Sequence, residues 1–259
     1  MSESQDGSAQ IDPVLAAQLK ARVELPKRFY QDVTTAKTDD GHHAVLLDGR
    51  SVRTPARNVL ALPTQGLAEA VAEEWRAQEV TIDPKTMPLT RLVNSAIDGV
   101  ADAIQPVAEE IARYAGTDMI CYRADAPEGL VALQCQQWDP VIAWLHDALG
   151  VRLVLTEGLS HIVQSETALA RIAADLSDRS AFQIAALSAV TTLTGSAALA
   201  LMLDAGVATP DDVWIAAHVD EDWQISLWGE DAEAAARRAF RRMEFDAAAL
   251  ILREFARTG

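Results

Sequence analysis

The chain contains a run of 24 residues, Ser180 to Leu203, without a charged side chain. A segment of that length could cross a bilayer as one helix. Polar residues interrupt it, however, and Gly195 lies where one helix can end and the next begin. We therefore predict a buried helical hairpin here rather than a membrane span. The interrupting residues are Gln183, Ser188, Thr191, Thr192, Thr194 and Ser196.

Composition and charge limit the fold classes and the binding partners to be expected for this chain. Apolar residues make up 49% of its 259 residues, with alanine prominent, which favours helices. A formal net charge of −16 disfavours binding to nucleic acid and to anionic membranes, and it suits basic or apolar partners. The polar start, Met1 to Gln10, resembles neither a signal peptide nor a transit peptide, so we expect a bacterial-type cytoplasmic protein. Cys121 and Cys135 match no zinc spacing and are expected to be reduced core thiols.

The first hundred residues predict a polar tail, residues 1–24, and then an α+β domain, residues 25–100. Strands are expected at 28–33, 44–54 and 58–62, and Asp48-Gly49 provides the tight turn of a hairpin within the second of these segments. Helices are expected from Gly66 to Gln78, capped by Thr64, and from Pro88 to about Ile97. Because strands precede helices, the sheet should be antiparallel.

Residues 101–259 predict an all-α domain, so the chain as a whole should be predominantly helical. Asp139-Pro140 is typical of a helix cap followed by a first-turn proline, which predicts a break between two helices. Val151 to Leu155 is expected to be a strand. The other expected helices cover 101–114, 166–176 capped by Ser165, 210 toward Trp223, and 231 to about 256.

Motifs for chemistry are mostly lacking. The sequence has no phosphate-binding loop of the GxxxxGK[ST] or GxGxxG type and no GxSxG nucleophile motif. His218 precedes Glu221 by three residues and Asp222 by four, so these three side chains could bind a metal ion. They could also form a charge-assisted pair on an exposed helix face, which is the interpretation that the spacing favours. We predict no catalytic residue, metal site or cofactor.

Asp220, Glu221 and Asp222 are instead candidates for contact with a partner. In a single helix running from Pro210 to Trp223 they would lie near the C-terminus, where negative charge is unfavourable. A residue that is unfavourable for its local structure often marks a functional site. Trp223 follows directly, and tryptophan is enriched at binding hot spots, although core packing is the usual role of each of the six tryptophans.

With these residues in view, the chain resembles the assembly chaperones of F1 ATP synthase that act on its α subunit, a family of mitochondria and alphaproteobacteria. The similarity covers about residues 25–245 in the expected order, and the lack of a transit peptide fits a bacterial member. Seven segments carry it: Arg28-Phe-Tyr30, Leu47-Asp-Gly-Arg50 to Thr54-Pro55, Ala72-Glu-Glu-Trp75, Met87 to Asn94, Thr117 to Arg123, Trp138-Asp-Pro140, and Gln224-Ile225 to Trp228-Gly229.

The resemblance implies an α+β domain followed by a helical domain, without enzymatic activity. It implies a protein that binds the free α subunit and shields its β-facing surface from aggregation. In the family an acidic residue just before the Gln-Ile pair is implicated in function, and it maps onto Glu221 or Asp222. We expect a monomer when free, with no nucleic-acid partner and no stable membrane insertion. Two alternatives stay open: a metal-assisted enzyme using His218, Glu221 and Asp222, and a structural subunit of a larger complex.

Overall fold

The computed structural model describes residues 25–158 and 160–256. A small antiparallel sheet comes first and helices follow, which confirms the predicted fold class. The tail predicted for residues 1–24 lies outside the described part of the chain.

The sheet is built around its second strand. This strand, β2 (His43–Leu47), pairs antiparallel with β1 (Val33–Lys37), β3 (Arg50–Ser51) and β4 (Ala61–Leu62). The predicted hairpin is confirmed: Asp48 and Gly49 form its turn with φ angles of 47° and 77°, in the left-handed region that a two-residue turn requires.

The first predicted strand, residues 28–33, is placed wrongly, because β1 begins only at Val33. The backbone N–H of Arg28 donates to the carbonyl of Val80 at 3.0 Å, outside the sheet. Nearby, the hydroxyl of Tyr30 donates to the carbonyl of Trp75 at 2.7 Å. Partners distant in sequence therefore draw this segment away from the sheet.

Helix α1 (Gln65–Arg76) packs beside the sheet, and α2 (Pro88–Asp98) packs against α1. Both helices lie close to the predicted bounds. Thr64 caps α1 as predicted, and its hydroxyl accepts from the backbone N–H of Leu67 at 3.1 Å. The Glu74 carboxylate accepts from the backbone N–H groups of Leu89 and Thr90 at 2.8 and 2.7 Å. Glu74 therefore supplies the N-terminal cap of α2 and joins the two helices.

Eight further helices form the rest of the described chain. They are α3 (Ile104–Tyr114), α4 (Glu128–Leu149), α5 (Glu166–Asp175), α6 (Ala181–Thr194), α7 (Ala197–Asp204), α8 (Pro210–Ala217), α9 (Val219–Trp228) and α10 (Ala232–Ala256). The helical hairpin is confirmed: α6 and α7 are joined at Gly195 (φ 75°), and seven residues of α6 and six of α7 are buried. Within the described residues, no helix has both the length and the apolar character needed to cross a membrane.

The core of the protein is continuous across residue 100. Helix α6 packs against α2 on one side and against α3 and α10 on others, and the buried residues of both regions belong to one cluster. The division of the chain into domains at residue 100 stays a prediction.

The predicted helix break at Asp139-Pro140 is wrong, because α4 is a single helix of 22 residues that contains Pro140. Proline provides no N–H for the carbonyl four residues earlier, which normally ends or kinks a helix. The buried residues Gln134, Trp138, Val141 and Leu145 repeat at helical spacing on both sides of the proline. Burial of that common face outweighs the lost hydrogen bond.

The predicted strand from Val151 to Leu155 is also wrong. The only pairing in this region joins β5 (Tyr122–Arg123) to β6 (Thr156–Glu157) in parallel. In the segment before β6, the backbone of Val154 pairs with the side chain of Gln164 rather than with a neighbouring strand. Its amide oxygen accepts from the N–H of Val154 at 2.7 Å, and its amide nitrogen donates to the carbonyl of the same residue at 2.8 Å.

The two cysteines differ. Cys121 is buried, as predicted, and burial raises the pKa of its thiol to about 12. Cys135 is exposed on α4, so the expectation of a core thiol is wrong there. Cys135 follows the buried Gln134 directly, so it is turned about 100° around the helix from that residue.

Candidate partner-binding site

The predicted helix from Pro210 to Trp223 is broken at His218. Helix α8 ends at Ala217 and α9 begins at Val219, with His218 between them at φ −120° and ψ 19°. Asp220, Glu221 and Asp222 therefore lie in the first turn of α9, where negative charge complements the helix dipole. The expectation of unfavourable charge near a helix C-terminus is wrong, and it no longer singles out these residues.

His218 is buried rather than exposed, with only 5% of its surface accessible. Its ring lies against Trp214 with the centroids 4.1 Å apart, and its Nδ1 is 2.8 Å from the carbonyl oxygen of the same residue. Because a carbonyl only accepts, Nδ1 carries the proton and Nε2 is the unprotonated nitrogen of the neutral ring. Burial lowers the pKa of His218, with a smaller contribution from the nearby positive charge of Arg238. The predicted exposed charge pair is thus not formed.

The three side chains of the metal-site alternative do not converge. His218 Nε2 lies 3.9 Å from the nearest Glu221 oxygen, and Asp222 turns toward Arg238 instead. In residues 25–158 and 160–256 no group of three or more histidine, cysteine or acidic side chains is arranged to hold a metal ion. The geometry on which the metal-assisted enzyme depended is therefore not present in this region.

Two of the four predicted residues attach α9 to α4. Asp220 accepts a hydrogen bond from the side-chain amide of the buried Gln134 at 2.7 Å. The Trp223 ring lies against Gly129, where an added Cβ would come within 2.6 Å of the indole Cη2. The absence of a side chain at Gly129 is what admits the indole so close to the first turn of α4.

Asp222 attaches α9 to the following helix through an ion pair and hydrogen bond with Arg238 of α10. The side chains are 45% and 21% exposed, so solvent screens the attraction, and such pairs contribute up to about 1 kcal/mol. Asp222 therefore positions α9 more than it stabilises the whole protein.

Glu221 is the acid of this cluster that takes no part in the contacts to α4 and α10 described above. Its side chain is 41% exposed, its nearest oxygen lies 3.9 Å from the ring of His218, and it forms no ion pair within 4.0 Å with a lysine or arginine of the described residues. All three acids are partly exposed; Asp220, Asp222 and Trp223 have contacts that fix the helix, and Glu221 does not.

The other end of α9 carries apolar residues that sequence reasoning did not select. Trp228 is 84% exposed and Leu227 is 55% exposed, and Gly229 ends the helix with φ 84°. The signal was available in the spacing: Trp223 and Leu227 fall on one face, whereas Ile225 and Trp228 fall on another. A helix that packs along one side cannot bury both pairs.

A buried carboxylate, Asp118, connects the segment after α3 to the N-terminus of α7. One of its oxygens accepts from the N–H of Ala198 in the first turn of α7 at 3.0 Å, and the other accepts from the N–H of Ile120 at 3.3 Å. Complete burial raises the pKa of Asp118 to about 6, against the lowering effect of these hydrogen bonds. Asp118 caps α7 and lies outside the α9 site.

Comparisons with known proteins agree on one family. The family model described as ATP12 chaperone protein matches residues 27–146. The mitochondrial atp12 protein of Schizosaccharomyces pombe is 26% identical over 231 residues, which are 82% of this chain and 79% of that protein.

Two crystal structures are similar over nearly the whole fold. A candidate chaperone from Agrobacterium tumefaciens is 45% identical with a TM-score of 0.85, over 95% of this chain and 92% of that one. Atp12 from Paracoccus denitrificans is 39% identical with a TM-score of 0.81, over 88% of this chain and 97% of that one. The chain belongs to the ATP12 chaperone family, whose members serve ATP synthase assembly.

Proposed function

We propose that this protein is an assembly chaperone that binds the free α subunit of F1 ATP synthase and prevents its aggregation until it pairs with the β subunit. The structural observation that carries the proposal is helix α9. Contacts to α4 and α10 fix this helix, yet Glu221 stays partly exposed and forms no ion pair within 4.0 Å with a lysine or arginine of the described chain. Membership of the ATP12 family supports a client from the ATP synthase.

The physical need for such a chaperone follows from the client. A subunit that will be buried against a neighbour exposes a large apolar surface while it is alone, and such surfaces aggregate. The chaperone must also release its client to β, so we expect a moderate affinity rather than a permanent complex. We assign the contact to Glu221 and positioning roles to Asp220, Asp222 and Trp223. We expect the protein to act as a monomer in a bacterial-type cytoplasm.

The proposal is tested by co-expressing an affinity-tagged form of this protein with the F1 α subunit of the same cell. We expect the α subunit to be recovered with the chaperone and to stay soluble only in its presence. An α subunit that neither binds nor gains solubility would refute the proposal. Recovery of the chaperone at fixed stoichiometry in mature ATP synthase would instead favour a structural subunit.

The site is tested separately by Glu221→Lys. Glu166→Lys is the matched control, because Glu166 is also an exposed acid in the first turn of a helix, α5. We expect Glu221→Lys to weaken client recovery by about tenfold or more, as reversal of a contact charge does, and the control to leave it unchanged. Each substitution reverses a charge in the first turn of a helix, so both variants should lose a similar amount of stability, about 1 kcal/mol. Equal client recovery by the two variants would remove Glu221 from the site.

A further inference from the structure

The exposed end of α9 carries the most accessible large apolar side chain in the described part of the chain, Trp228 at 84%. A buried tryptophan removes more apolar area from water than any other residue, so its exposure forgoes stability that the fold could have gained. Leu227 beside it is 55% exposed. Past Gly229 the space is open, because an added Cβ there would meet no atom within 4 Å.

Trp228 and Glu221 face the same way. They are seven residues apart, which is close to two helical turns, and Gln224 lies between them on the same face and is also exposed. The span along the helix is about 10 Å. Asp220 and Asp222, one residue to either side of Glu221, turn to α4 and α10. On this face Gln224 and Trp228 are exposed, and the partly buried Glu221 lies at its N-terminal end.

Charge around this face indicates what covers it. From Val219 to Ala236 the chain has no lysine or arginine, and acids lie at both ends of the exposed stretch: Glu221 before it, Glu230 and Asp231 after it. The nearby cation is Arg238 of α10, which pairs with Asp222, so these acids outnumber it and the rim stays acidic. Glu230 and Asp231 are exposed. An apolar centre with an acidic rim is complementary to an apolar surface with a basic rim. Because the whole chain is strongly acidic, a second copy of it would be repelled.

We infer that the α9 face formed by Glu221, Gln224 and Trp228, with Leu227 on the adjoining side of the helix, is the surface on which the client docks, with Trp228 as its anchor. The client region that it fits is an apolar patch bordered by lysine or arginine side chains. This inference rests on the proposed function and adds to it the kind of client surface and the residue that carries most of the contact. Tryptophan in that role is expected to account for a large share of the binding.

The test compares Trp228→Ala with Phe29→Ala in the co-expression assay with the α subunit. Phe29 is a matched control, because it is an aromatic side chain that is 73% exposed and belongs to the N-terminal region. We expect Trp228→Ala to lower client recovery by about tenfold or more, as hot-spot substitutions do, and Phe29→Ala to leave it unchanged. Trp228→Phe, which keeps an aromatic anchor, should retain most of the binding. Thermal unfolding of Trp228→Ala should match that of the wild type, since the side chain is exposed.

The outcomes separate the inference from the proposed function. If the wild-type protein does not recover the α subunit, both fail. If the wild type binds and Trp228→Ala binds equally well, only the docking face is refuted. An equal loss with Phe29→Ala would also refute it, because the effect would then belong to any exposed aromatic residue. A dimeric wild type with a monomeric Trp228→Ala in sedimentation would show that a second copy covers this face, which overturns the inference.

Discussion

Replacement of Trp138 by phenylalanine tests how α4 holds the segment that leads into α9. Trp138 is 1% exposed, and its indole N–H donates to the carbonyl of Ala216 at 2.7 Å. Ala216 is in the last turn of α8, where backbone carbonyls lack partners within the helix. The indole therefore satisfies a buried carbonyl one residue before the chain turns at Ala217 and His218. Phenylalanine keeps an aromatic ring at the site but has no donor.

The magnitude follows from two losses. A buried carbonyl left without a partner costs about 1–3 kcal/mol. The smaller ring leaves a cavity, and the volume of the missing atoms adds about 1 kcal/mol. The ring contact with the Arg123 guanidinium, 5.2 Å from the Trp138 centroid, is largely kept by phenylalanine. We expect the free energy of unfolding to fall by about 2–4 kcal/mol, a large part of the 5–15 kcal/mol typical of a folded protein.

The assay is urea unfolding followed by circular dichroism, with Trp144→Phe as the control on the same helix. Trp144 is half-buried at the edge of the core, so its replacement should cost about 1 kcal/mol or less. If Trp138→Phe costs no more than Trp144→Phe, the bond to Ala216 does not hold α8 in place. A change in the urea dependence m would instead indicate altered unfolding cooperativity.

Two further substitutions test other joints of the fold. Burial raises the pKa of Asp118 from 3.8 to about 6, so the folded protein holds this proton to a higher pH than the unfolded chain does. Stability should therefore fall as pH rises between these values, and the wild type should lose about 1 kcal/mol relative to Asp118→Asn between pH 5 and pH 7 in urea unfolding. A difference that is constant or grows with pH would contradict this reasoning. Gly129→Ala should bring no gain in unfolding free energy, although alanine in a helix usually adds up to about 1 kcal/mol, because its Cβ would collide with Trp223. A more stable variant would show that the indole does not pack there.

Local signals in the sequence predicted those parts of the fold that local physics decides. The Asp48-Gly49 turn needs positive φ angles, the hydroxyl of Thr64 satisfies an N–H of the next helix, and Gly195 adopts the left-handed conformation that ends α6. Each feature depends on residues a few positions apart. Each was therefore readable without knowledge of the rest of the chain.

Distant contacts decided the features that were predicted wrongly. Pro140 stays inside a helix because a buried face continues on both sides of it, and the helix breaks at His218, which its neighbours in sequence do not indicate. Gln164, ten residues away, replaces the strand partner of Val154. No pattern of local periodicity contains these partners.

At the candidate site, sequence reasoning selected the right helix for a wrong reason. The sequence predicts that Asp220 to Asp222 lie near a helix C-terminus, where negative charge is unfavourable, but they lie at a helix N-terminus, where it is favourable. The exposure of Trp228 was missed because tryptophan is usually buried, and the two apolar faces of α9 were the clue to it. Which acids find internal partners depends on Gln134 and Arg238, which lie far away in sequence.

The side chain of Gln164 has a consequence for how this segment can pair with other chains. Extended segments with free N–H and carbonyl groups act as templates for other strands, and aggregating chains add to them. By occupying both backbone groups of Val154, Gln164 closes this position to such pairing, although Val154 and Leu155 are themselves exposed. The side chains of Val154 and Leu155 thus stay accessible, while the backbone N–H and carbonyl of Val154 are occupied by hydrogen bonds. The backbone of Val154 is therefore closed to recruitment into the β-structure of another chain.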